Sequence, residues 1–249
     1  MKYFEDPRVG AIQLRLKDVR EVLVFAGSKG GVGKTLISVL TSLLLSRRGF
    51  RVGLFDMDIT NPTSHVTLGV DLRSVKPTEE KGVVPPEVSG VTFMSPVFYT
   101  LDRPTPLRGE YVSSALRELL SITRWPGIDV LVLDMPPGMS DELLELLTHI
   151  RRFRAMLVTT PSPMAVASSI RLAEVLSGRL EAVVLNMVTE SAFGAEKLLN
   201  YAPGIPVYEV PYDSDVEYSI GYPEKLVLTR AAREVDRQVV DHVARLLRT

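Results

Sequence analysis

The amino-acid sequence predicts an α/β fold, in which a mostly parallel sheet is covered by helices on both faces. Short apolar runs alternate along the chain with longer amphipathic stretches, and this strand–helix order is typical of parallel strands joined by crossover helices. The apolar runs are continuous and lack polar/apolar alternation, as in strands buried on both faces. Ligands of such sheets bind at the carboxyl ends of the strands, so the residues there are the first functional candidates.

The individual elements follow in chain order from these two patterns. The predicted strands are Val22–Ala26, Val52–Phe55, Val91–Met94, Val130–Leu133, Ala155–Thr159, Ala182–Leu185 and Val207–Val210. The predicted helices are Lys34–Arg48, Gly109–Ile122, Asp141–Ile150, Met164–Leu176, Ala195–Tyr201 and Ala231–Leu247. The stretch from Asp71 to Gly90 has little periodicity and is interpreted as a surface loop. We expect one domain over residues 1–249, with residues 1–20 as an N-terminal extension that leads into the first strand.

The composition limits the functions open to this chain. Its 249 residues carry a net charge of −1, so no long-range field attracts nucleic acid or acidic lipid. It has no cysteine, which excludes disulfides, thiolate catalysis and cysteine-ligated metal. The start of the chain has charges instead of an apolar core, unlike a signal peptide, and no apolar run reaches the ~18 residues of a membrane span. We expect a cytoplasmic protein.

A glycine-rich segment after the first strand has the pattern of a phosphate-binding loop (P-loop). Its candidate nucleotide-binding residues are Gly30, Gly31, Val32, Gly33, Lys34 and Thr35. The glycines let backbone N–H groups surround an anion, and the helix that follows adds its positive end. Lys34 is expected to reach the β- and γ-phosphates, and the Thr35 hydroxyl to bind Mg²⁺. Ser28 replaces the first glycine of the strict pattern, and a glycine-rich turn without a ligand is the alternative.

Three aspartates follow two of the predicted strands. Asp56 and Asp58 come after the second strand, and they would share one face if the strand continued, being two residues apart. Asp134 ends the apolar run Val130–Leu133, which is the Walker B pattern. We expect Asp56 and Asp134 to act on Mg²⁺ through water, and helix caps or loop aspartates are the alternative.

Pro136-Pro137-Gly138 follows the third aspartate after a single residue, Met135. Two prolines and a glycine favour a stiff turn with a flexible end, which suits a segment that senses the γ-phosphate. Pro137 and Gly138 are therefore the candidate switch. Asp141 and Glu142 open the next predicted helix, where carboxylates offset the helix dipole.

The loop Lys29-Gly30-Gly31-Val32-Gly33-Lys34-Thr35 resembles the deviant Walker A motif of the MinD/ParA/NifH ATPases, a SIMIBI-class group of P-loop NTPases. The resemblance implies a homodimer that binds ATP or ADP with Mg²⁺ and hydrolyses ATP. It implies that Lys29 contacts the nucleotide of the partner subunit and that Asp58 positions the attacking water. Lys29, Lys34 and Asp58 are therefore the catalytic candidates.

The adenine pocket is predicted partly from the residues and partly from the same resemblance. Asn186 ends a later strand, and an amide can both donate to and accept from the adenine edge. An asparagine in an ordinary turn would look the same in the sequence. The resemblance implies that Asn186 binds adenine and that a loop with Pro211 and Asp213 completes the pocket.

Further segments narrow the resemblance to the Mrp/ApbC subfamily and its archaeal members. They are Asp6-Pro7-Arg8, Arg15-Leu16-Lys17, Asn61-Pro62, Pro106 to Gly109, Val112 to Leu116, Trp125, Asp129 to Gly138, Asp141, Val158 to Pro161 and the tail around Gly221. Members are homodimers that carry iron–sulfur clusters to apoproteins and hold the cluster with a Cys-x-x-Cys pair. The matching region here, Val188 to Gly194, has no cysteine, and the histidines at 65, 149 and 242 are scattered. We therefore expect an intact nucleotide site, no cluster on this chain, and an unidentified client.

Three functions remain open at this point. The first is an Mrp-like dimeric ATPase switch whose cluster is supplied by a partner or lost. The second is a positioning ATPase like MinD or ParA, for which the apolar face of residues 232–247 could lie on a membrane, or Arg151, Arg152 and Arg154 could touch DNA. Packing of the last helix and a solvated helix end are the simpler interpretations. The third, a scaffold without hydrolysis, is disfavoured by the two catalytic-type aspartates.

Overall fold

The computed structural model describes residues 6–189 and 203–248, and its centre is an eight-stranded sheet. The strands are β1 (Glu21–Gly27), β2 (Val52–Asp56), β3 (Thr78–Glu79), β4 (Val83–Val84), β5 (Glu87–Val88), β6 (Val91–Met94), β7 (Val130–Pro137), β8 (Arg154–Thr159), β9 (Leu180–Val188) and β10 (Val207–Pro211). The sheet order is β10-β9-β8-β1-β7-β2-β6-β5, and β3 pairs with β4 separately. Within the large sheet only the β5–β6 pair is antiparallel. The predicted mostly parallel sheet is confirmed.

Helices cover both faces of this sheet. They are α1 (Pro7–Leu16), α2 (Lys34–Arg47), α3 (Ser64–Leu68), α4 (Val97–Thr100), α5 (Glu110–Ile122), α6 (Asp141–His149), α7 (Pro163–Val175), α8 (Asp215–Ser219), α9 (Pro223–Leu226), α10 (Arg230–Glu234), a π-helical segment (Val235–Val240) and α11 (Asp241–Leu246). One core layer contains α1, α5, α6 and α7. The other contains α2 and the C-terminal helices. The predicted helix Ala195–Tyr201 lies outside the described residues.

The central strand β1 shows why a continuous apolar run was needed. Val22 and Val24 belong to one core layer, whereas Leu23 and Phe25 belong to the other. Successive side chains of a strand point to opposite faces, so a strand with a helix layer on each side must be apolar at every position. All seven predicted strands occur, and β7 runs beyond Leu133 as far as Pro137.

Helix α1 shows that the N-terminal extension is part of the packed structure. The Asp6 side chain accepts a hydrogen bond from the Arg8 amide at 3.0 Å, and Pro7 suits the first helical position because its missing N–H has no partner there anyway. Ile12 is fully buried in the core layer that contains α5 and α6. The pair Asp6-Pro7 is itself a helix-start signal in the sequence.

The interpretation of Asp71 to Gly90 as a loop is wrong for part of its length. It contains β3, β4 and β5. Ser89 and Gly90, with φ of 50° and 82°, join β5 to β6. Positive φ at both central residues is the geometry of a two-residue hairpin turn, in which the twist of the turn matches that of the strands. The segment therefore adds an antiparallel edge to the sheet.

The predicted C-terminal helix is confirmed over residues 230–246, with a π-helical segment in its middle. Its apolar residues Val235, Val239 and Val243 are no more than 2% exposed and belong to the core layer that contains α2. This face is therefore occupied by the core and does not lie open for a membrane surface. In the described ranges, no helix combines the length and the apolar character that crossing a bilayer requires.

Candidate functional site

The P-loop lies between β1 and α2, at the carboxyl edge of the sheet. Gly31 and Gly33 have φ of 80° and 81°, a region that residues with a side chain avoid. A Cβ on Gly33 would also overlap the amide nitrogen of Asn186. Helix α2 begins at Lys34, immediately after this turn, so the amino-terminal end of α2 faces the space that the loop encloses.

Lys34 and Asp134 form a buried ion pair at the centre of the site. The Lys34 Nζ atom lies 2.6 Å from Asp134 Oδ1, and the two side chains are 9% and 2% exposed. The same ammonium group donates to Thr35 Oγ1 at 3.3 Å. Lys34 thus contacts both the predicted magnesium-binding hydroxyl and the Walker B carboxylate, and the binding of phosphate or Mg²⁺ by these residues stays a prediction.

Asp56 closes this network from β2, which lies next to β7. Its carboxylate accepts hydrogen bonds from the amides of Thr63 and Ser64 at 3.0 and 2.9 Å, and from the amide of Asp58 at 3.2 Å. The Ser64 hydroxyl in turn donates to Asp134 Oδ2 at 3.1 Å. Burial and the charge of Asp134 raise the pKa of Asp56, although these hydrogen bonds and Lys34 oppose the rise.

When both are ionised, the two buried carboxylates carry more negative charge than the single lysine beside them can balance. Such an excess of negative charge is costly in a buried place unless a cation or a bound proton compensates it, and the raised pKa of Asp56 reflects this cost. The hydroxyl of Thr35 and the oxygens of Asp56 and Asp134 are hard donors of the kind that Mg²⁺ prefers. The residues present therefore fit a magnesium ion, which Thr35, Asp56 and Asp134 would hold directly or through water.

Asp58 does not share a strand face with Asp56. Strand β2 ends at Asp56, and the Asp58 carboxylate accepts hydrogen bonds from the Thr60 and Asn61 amides at 3.2 and 2.9 Å. It is a turn-forming aspartate, partly exposed at the edge of the site. The expectation that a continued strand would align both carboxylates is therefore wrong, because the chain turns after Asp56.

The candidate switch differs from the predicted stiff turn. Pro136 and Pro137 continue β7, and Pro137 is paired with Gly27 of β1. The turn occurs at Gly138, which has φ of 82° and donates its amide to the Gly27 carbonyl at 2.8 Å. The prolines therefore extend the strand, and Gly138 lies directly beside the beginning of the P-loop.

Lys29 stands apart from the buried network. Its side chain is half-exposed, and it forms no hydrogen bond or ion pair with the part of the chain that the structure describes. It is a cation on the outer side of the P-loop, so a contact with a partner subunit stays a prediction.

The predicted adenine-pocket residues make contacts within the chain. Asn186 is 2% exposed, and its side-chain amide donates to the Val32 carbonyl of the P-loop at 2.9 Å. Pro211 ends β10. Asp213 accepts from the amides of Asp215 and Ala231 at 3.1 and 2.9 Å and so fixes the loop after β10. Contacts of these residues with a base stay predictions.

Two polar residues of the site were not identified from the sequence. Ser64 is fully buried and links β7 to α3 through its hydrogen bond to Asp134. Glu142, assigned only to the helix dipole, is 5% exposed. Burial raises its pKa, and the nearby charge of Asp58 adds to the rise. The dipole interpretation is therefore incomplete, because Glu142 is buried and its carboxylate lies near enough to Asp58 to feel its charge.

The three histidines occupy three separate places and not one metal site. His65 lies 3.5 Å from Asp102, His149 lies 3.1 Å from Glu145, and His242 lies 2.9 Å from Glu181. Over residues 6–189 and 203–248, no three or more His, Cys, Asp or Glu residues are grouped as ligands for a metal ion.

Comparison with known proteins agrees with this geometry. Residues 18–198 match the family model ParA, described as NUBPL iron-transfer P-loop NTPase. The chain is 31% identical over 257 residues to the cytosolic Fe-S cluster assembly factor Nubp2 homolog 2 of Drosophila yakuba, which covers 94% of this chain and 98% of that protein. It is 40% identical over 153 residues to an iron-sulfur cluster carrier protein of Pseudomonas fragi, over 60% of this chain and 53% of the relative. The chain thus spans about half the length of this bacterial carrier.

Solved structures show the same fold. A nucleotide-binding protein from Archaeoglobus fulgidus, in complex with ADP, superposes with a TM-score of 0.74 at 23% identity, over 91% of this chain and 96% of that chain. The cell division ATPase MinD of Pyrococcus furiosus superposes with a TM-score of 0.65 at 18% identity, over 92% and 100%. Since the family model covers most of the chain and the Drosophila relative is matched over nearly its whole length, the chain belongs to the ParA/NUBPL family of iron-transfer P-loop NTPases.

Proposed function

We propose that this chain is an ATP-driven switch that serves iron–sulfur cluster assembly through a partner protein and not through a cluster of its own. The observation that carries the proposal is the contact of Lys34, Thr35 and Asp134 in one buried network at the P-loop. The names of the relatives, iron-sulfur cluster carrier and Fe-S cluster assembly factor, support the choice of client process.

The network suggests how nucleotide binding would change the site. The Lys34 ammonium group has three N–H donors, of which one is directed at Asp134 and one at Thr35. An incoming phosphate group would draw Lys34 away from Asp134, which frees this carboxylate to hold water around Mg²⁺. Bound Mg²⁺ would neutralise charge that develops on the phosphates.

Hydrolysis would require residues at the rim of the site. Asp58 is the candidate that orients the attacking water, and its charge acts on the nearby buried carboxylate of Glu142. Lys29, half-exposed on the loop, would reach the phosphates of a second subunit and add positive charge in the transition state. Coupling hydrolysis to dimer formation in this way makes the chain a switch.

The absence of cysteine supports a role in which a partner holds the iron–sulfur cluster. Protein ligands of such clusters are mostly cysteine thiolates, and this chain has none. The cluster would therefore be held by a client or a partner, whose binding the nucleotide state would control. A positioning ATPase on membranes is less well supported, because the apolar side of the C-terminal helices is buried in the core.

Nucleotide-dependent stabilisation tests the first half of the proposal. A ligand at about one hundred times its dissociation constant adds ~2.7 kcal/mol to the free energy of unfolding, so Mg·ADP should raise the melting temperature of the wild type. Lys34→Ala should abolish this shift, measured against the same variant without nucleotide. Lys76→Ala, a change at an exposed position, is the control, and Mg·ADP should still raise its melting temperature. A wild type that melts at the same temperature with and without saturating nucleotide rules out the P-loop function.

Anaerobic reconstitution with iron and sulfide tests the second half. We expect no stoichiometric cluster on the purified chain, because thiolates are missing. The readouts are the visible absorbance of the cluster and analysis of iron and acid-labile sulfide. A stable cluster near one per chain or per dimer would mean that other side chains hold it, and the partner-borne cluster would have to be abandoned.

A further inference from the structure

A second cavity opens at the opposite end of the sheet from the P-loop. It has a volume of about 610 Å³ and is lined where β1, β8 and β9 begin, by the end of α1 and by the turns after α6 and α7. Strand β1 starts at this cavity with Glu21 and ends at the P-loop with Gly27. At ~3.3 Å per residue, the two sites are roughly 20 Å apart.

Positive charge dominates the lining of this cavity. Its cationic side chains are Lys17, Arg20, Arg151, Arg152, Arg154 and Arg179, and its carboxylates are Glu21 and Glu181. Both carboxylates are already engaged by one arginine, since Arg154 contacts Glu21 at 3.2 Å and Glu181 at 2.8 Å. Glu181 also contacts His242 at 2.9 Å. These pairs fix the inner wall and leave no carboxylate of the lining for the other cations.

The remaining five cations form no ion pair with the described residues. Arg179 lies over the ring of Phe153 at 4.7 Å, which orients its guanidinium without neutralising it. Arg20 lies close enough to Asp129 to lower the pKa of that carboxyl, but Arg51 is the side chain that pairs with Asp129 at 2.5 Å. Three separate chain segments therefore bring unpaired cations to one cavity.

The ends of the neighbouring helices do not account for this charge. Helices α1, α6 and α7 all end near the cavity, and each carboxyl end contributes roughly half a negative charge, which favours nearby cations. Three such ends supply less than two negative charges, whereas five cations are unpaired. The cavity is therefore electropositive even when the negative helix ends are counted.

Helix α1 is connected to α6 on the adjoining side of the cavity. The Gln13 side chain on α1 donates to the His149 carbonyl at the end of α6, two residues before the first of the arginines at 151 and 152. The cations of α1 and of the α6 turn are thereby held on adjoining sides of the opening. A pocket built from packed elements can select a ligand by size as well as by charge.

We propose that this cavity binds a small anion that carries two or more phosphate groups. A volume of about 610 Å³ lies within the range of ~300–1,000 Å³ typical of small-molecule sites, and it is too small to admit a nucleic-acid duplex. The planar guanidinium group matches phosphate oxygens with two parallel hydrogen bonds. Each phosphate monoester carries ~1.5–2 negative charges near neutral pH, so two or three phosphates would balance the unpaired cations.

Titration calorimetry with inorganic tripolyphosphate in Mg²⁺-free buffer tests the proposal. The titrations use the Lys34→Ala chain, so that the P-loop contributes little, and they compare Arg151→Ser/Arg152→Ser with Arg73→Ser/Arg103→Ser in that background. The second pair removes the same charge from exposed positions outside the cavity. We expect the cavity pair to weaken binding at least tenfold and the control pair to leave it within twofold.

Other probes separate the sources of negative charge. Citrate, a short DNA duplex and vesicles of acidic phospholipid are titrated against the same variants. Weaker binding of all three than of tripolyphosphate supports a small polyphosphate ligand. Equal affinity for citrate, tighter binding of DNA or vesicles through Arg151 and Arg152, or the same tripolyphosphate affinity in both variant pairs would overturn the proposal. Because the P-loop is disabled in every arm, these outcomes are independent of the nucleotide-switch function.

Discussion

Glu142 is a single carboxylate for which burial, and not its position in a helix, decides the protonation behaviour. Burial raises its pKa above the ordinary value of 4.5, and the charges of Asp58 and Asp141 add to this effect, while hydrogen bonds from its own amide and from Ser140 oppose it. The folded chain therefore keeps this proton to a higher pH than the unfolded chain. The folded state then binds more protons, so its free energy of unfolding falls as the pH rises through this range.

Glu142→Gln should remove this pH-dependent loss. The neutral amide has nearly the same shape, so the variant should melt at a higher temperature than the wild type at neutral pH, with the difference disappearing in acid. Thermal unfolding followed across the pH range measures this. Glu174→Gln, a change at an exposed position on α7, should leave the pH profile almost unchanged. A Glu142→Gln variant that is less stable at neutral pH would show that the ionised carboxylate has a stabilising partner.

The sequence predicts single residues of the site better than the contacts between them. Lys34 and Asp134 could be predicted because their motifs assign each to one end of a known type of element. The contact of Asn186 with the Val32 carbonyl joins residues far apart in the chain. The link from Ser64 to Asp134 depends on where the turn after β2 leads. Such contacts follow from the tertiary fold and leave no local pattern.

At the scale of elements, helix α1 shows that the segment before β1 contributes to the core. Ile12 is fully buried, whereas Leu14 on the same helix is 57% exposed. Removing buried methyl groups leaves a cavity, and such Ile→Ala changes cost ~2–5 kcal/mol. Ile12→Ala should therefore lower the free energy of unfolding by about this amount, measured by chemical denaturation.

Leu14→Ala serves as the matched control for this helix. It removes a similar volume from an exposed position, so we expect a change within ~0.5 kcal/mol. Equal and small effects of both changes would mean that α1 is only loosely attached and adds little to the core.

Element length explains which parts of the fold could be predicted. The long strands carry enough consecutive apolar residues to be recognised, as Leu23 and Phe25 illustrate for β1. Strands β3, β4 and β5 have two residues each, which is too short for any period to be recognised. Their existence depends on the partner that they pair with.

At the scale of the whole molecule, Lys29 should connect hydrolysis to association. Lys29→Ala should still be stabilised by Mg·ADP, because the buried network does not involve this side chain, but it should lose ATP hydrolysis and ATP-dependent dimerisation. Asp58→Ala should bind ATP and accumulate as a dimer, because the water is no longer oriented. Phosphate release and size-exclusion chromatography with light scattering measure these effects.

The same control, Lys76→Ala, separates the role of Lys29 from a general loss of positive charge. It should retain both hydrolysis and dimerisation. If Lys29→Ala hydrolyses ATP at the wild-type rate as a monomer, the dimer mechanism is wrong and Lys29 is an ordinary surface lysine.

The short antiparallel strand β5 has a consequence for solubility. Unpaired strand edges are templates on which further chains can add and grow into aggregates. Here the edge beyond β6 is covered by only two residues, Glu87 and Val88, and Pro85 and Pro86 immediately before them have no N–H with which to extend a ladder. An incoming strand would find a template too short to pair with and flanked by prolines. The hairpin thus acts as a built-in guard against edge-to-edge polymerisation on this side of the sheet.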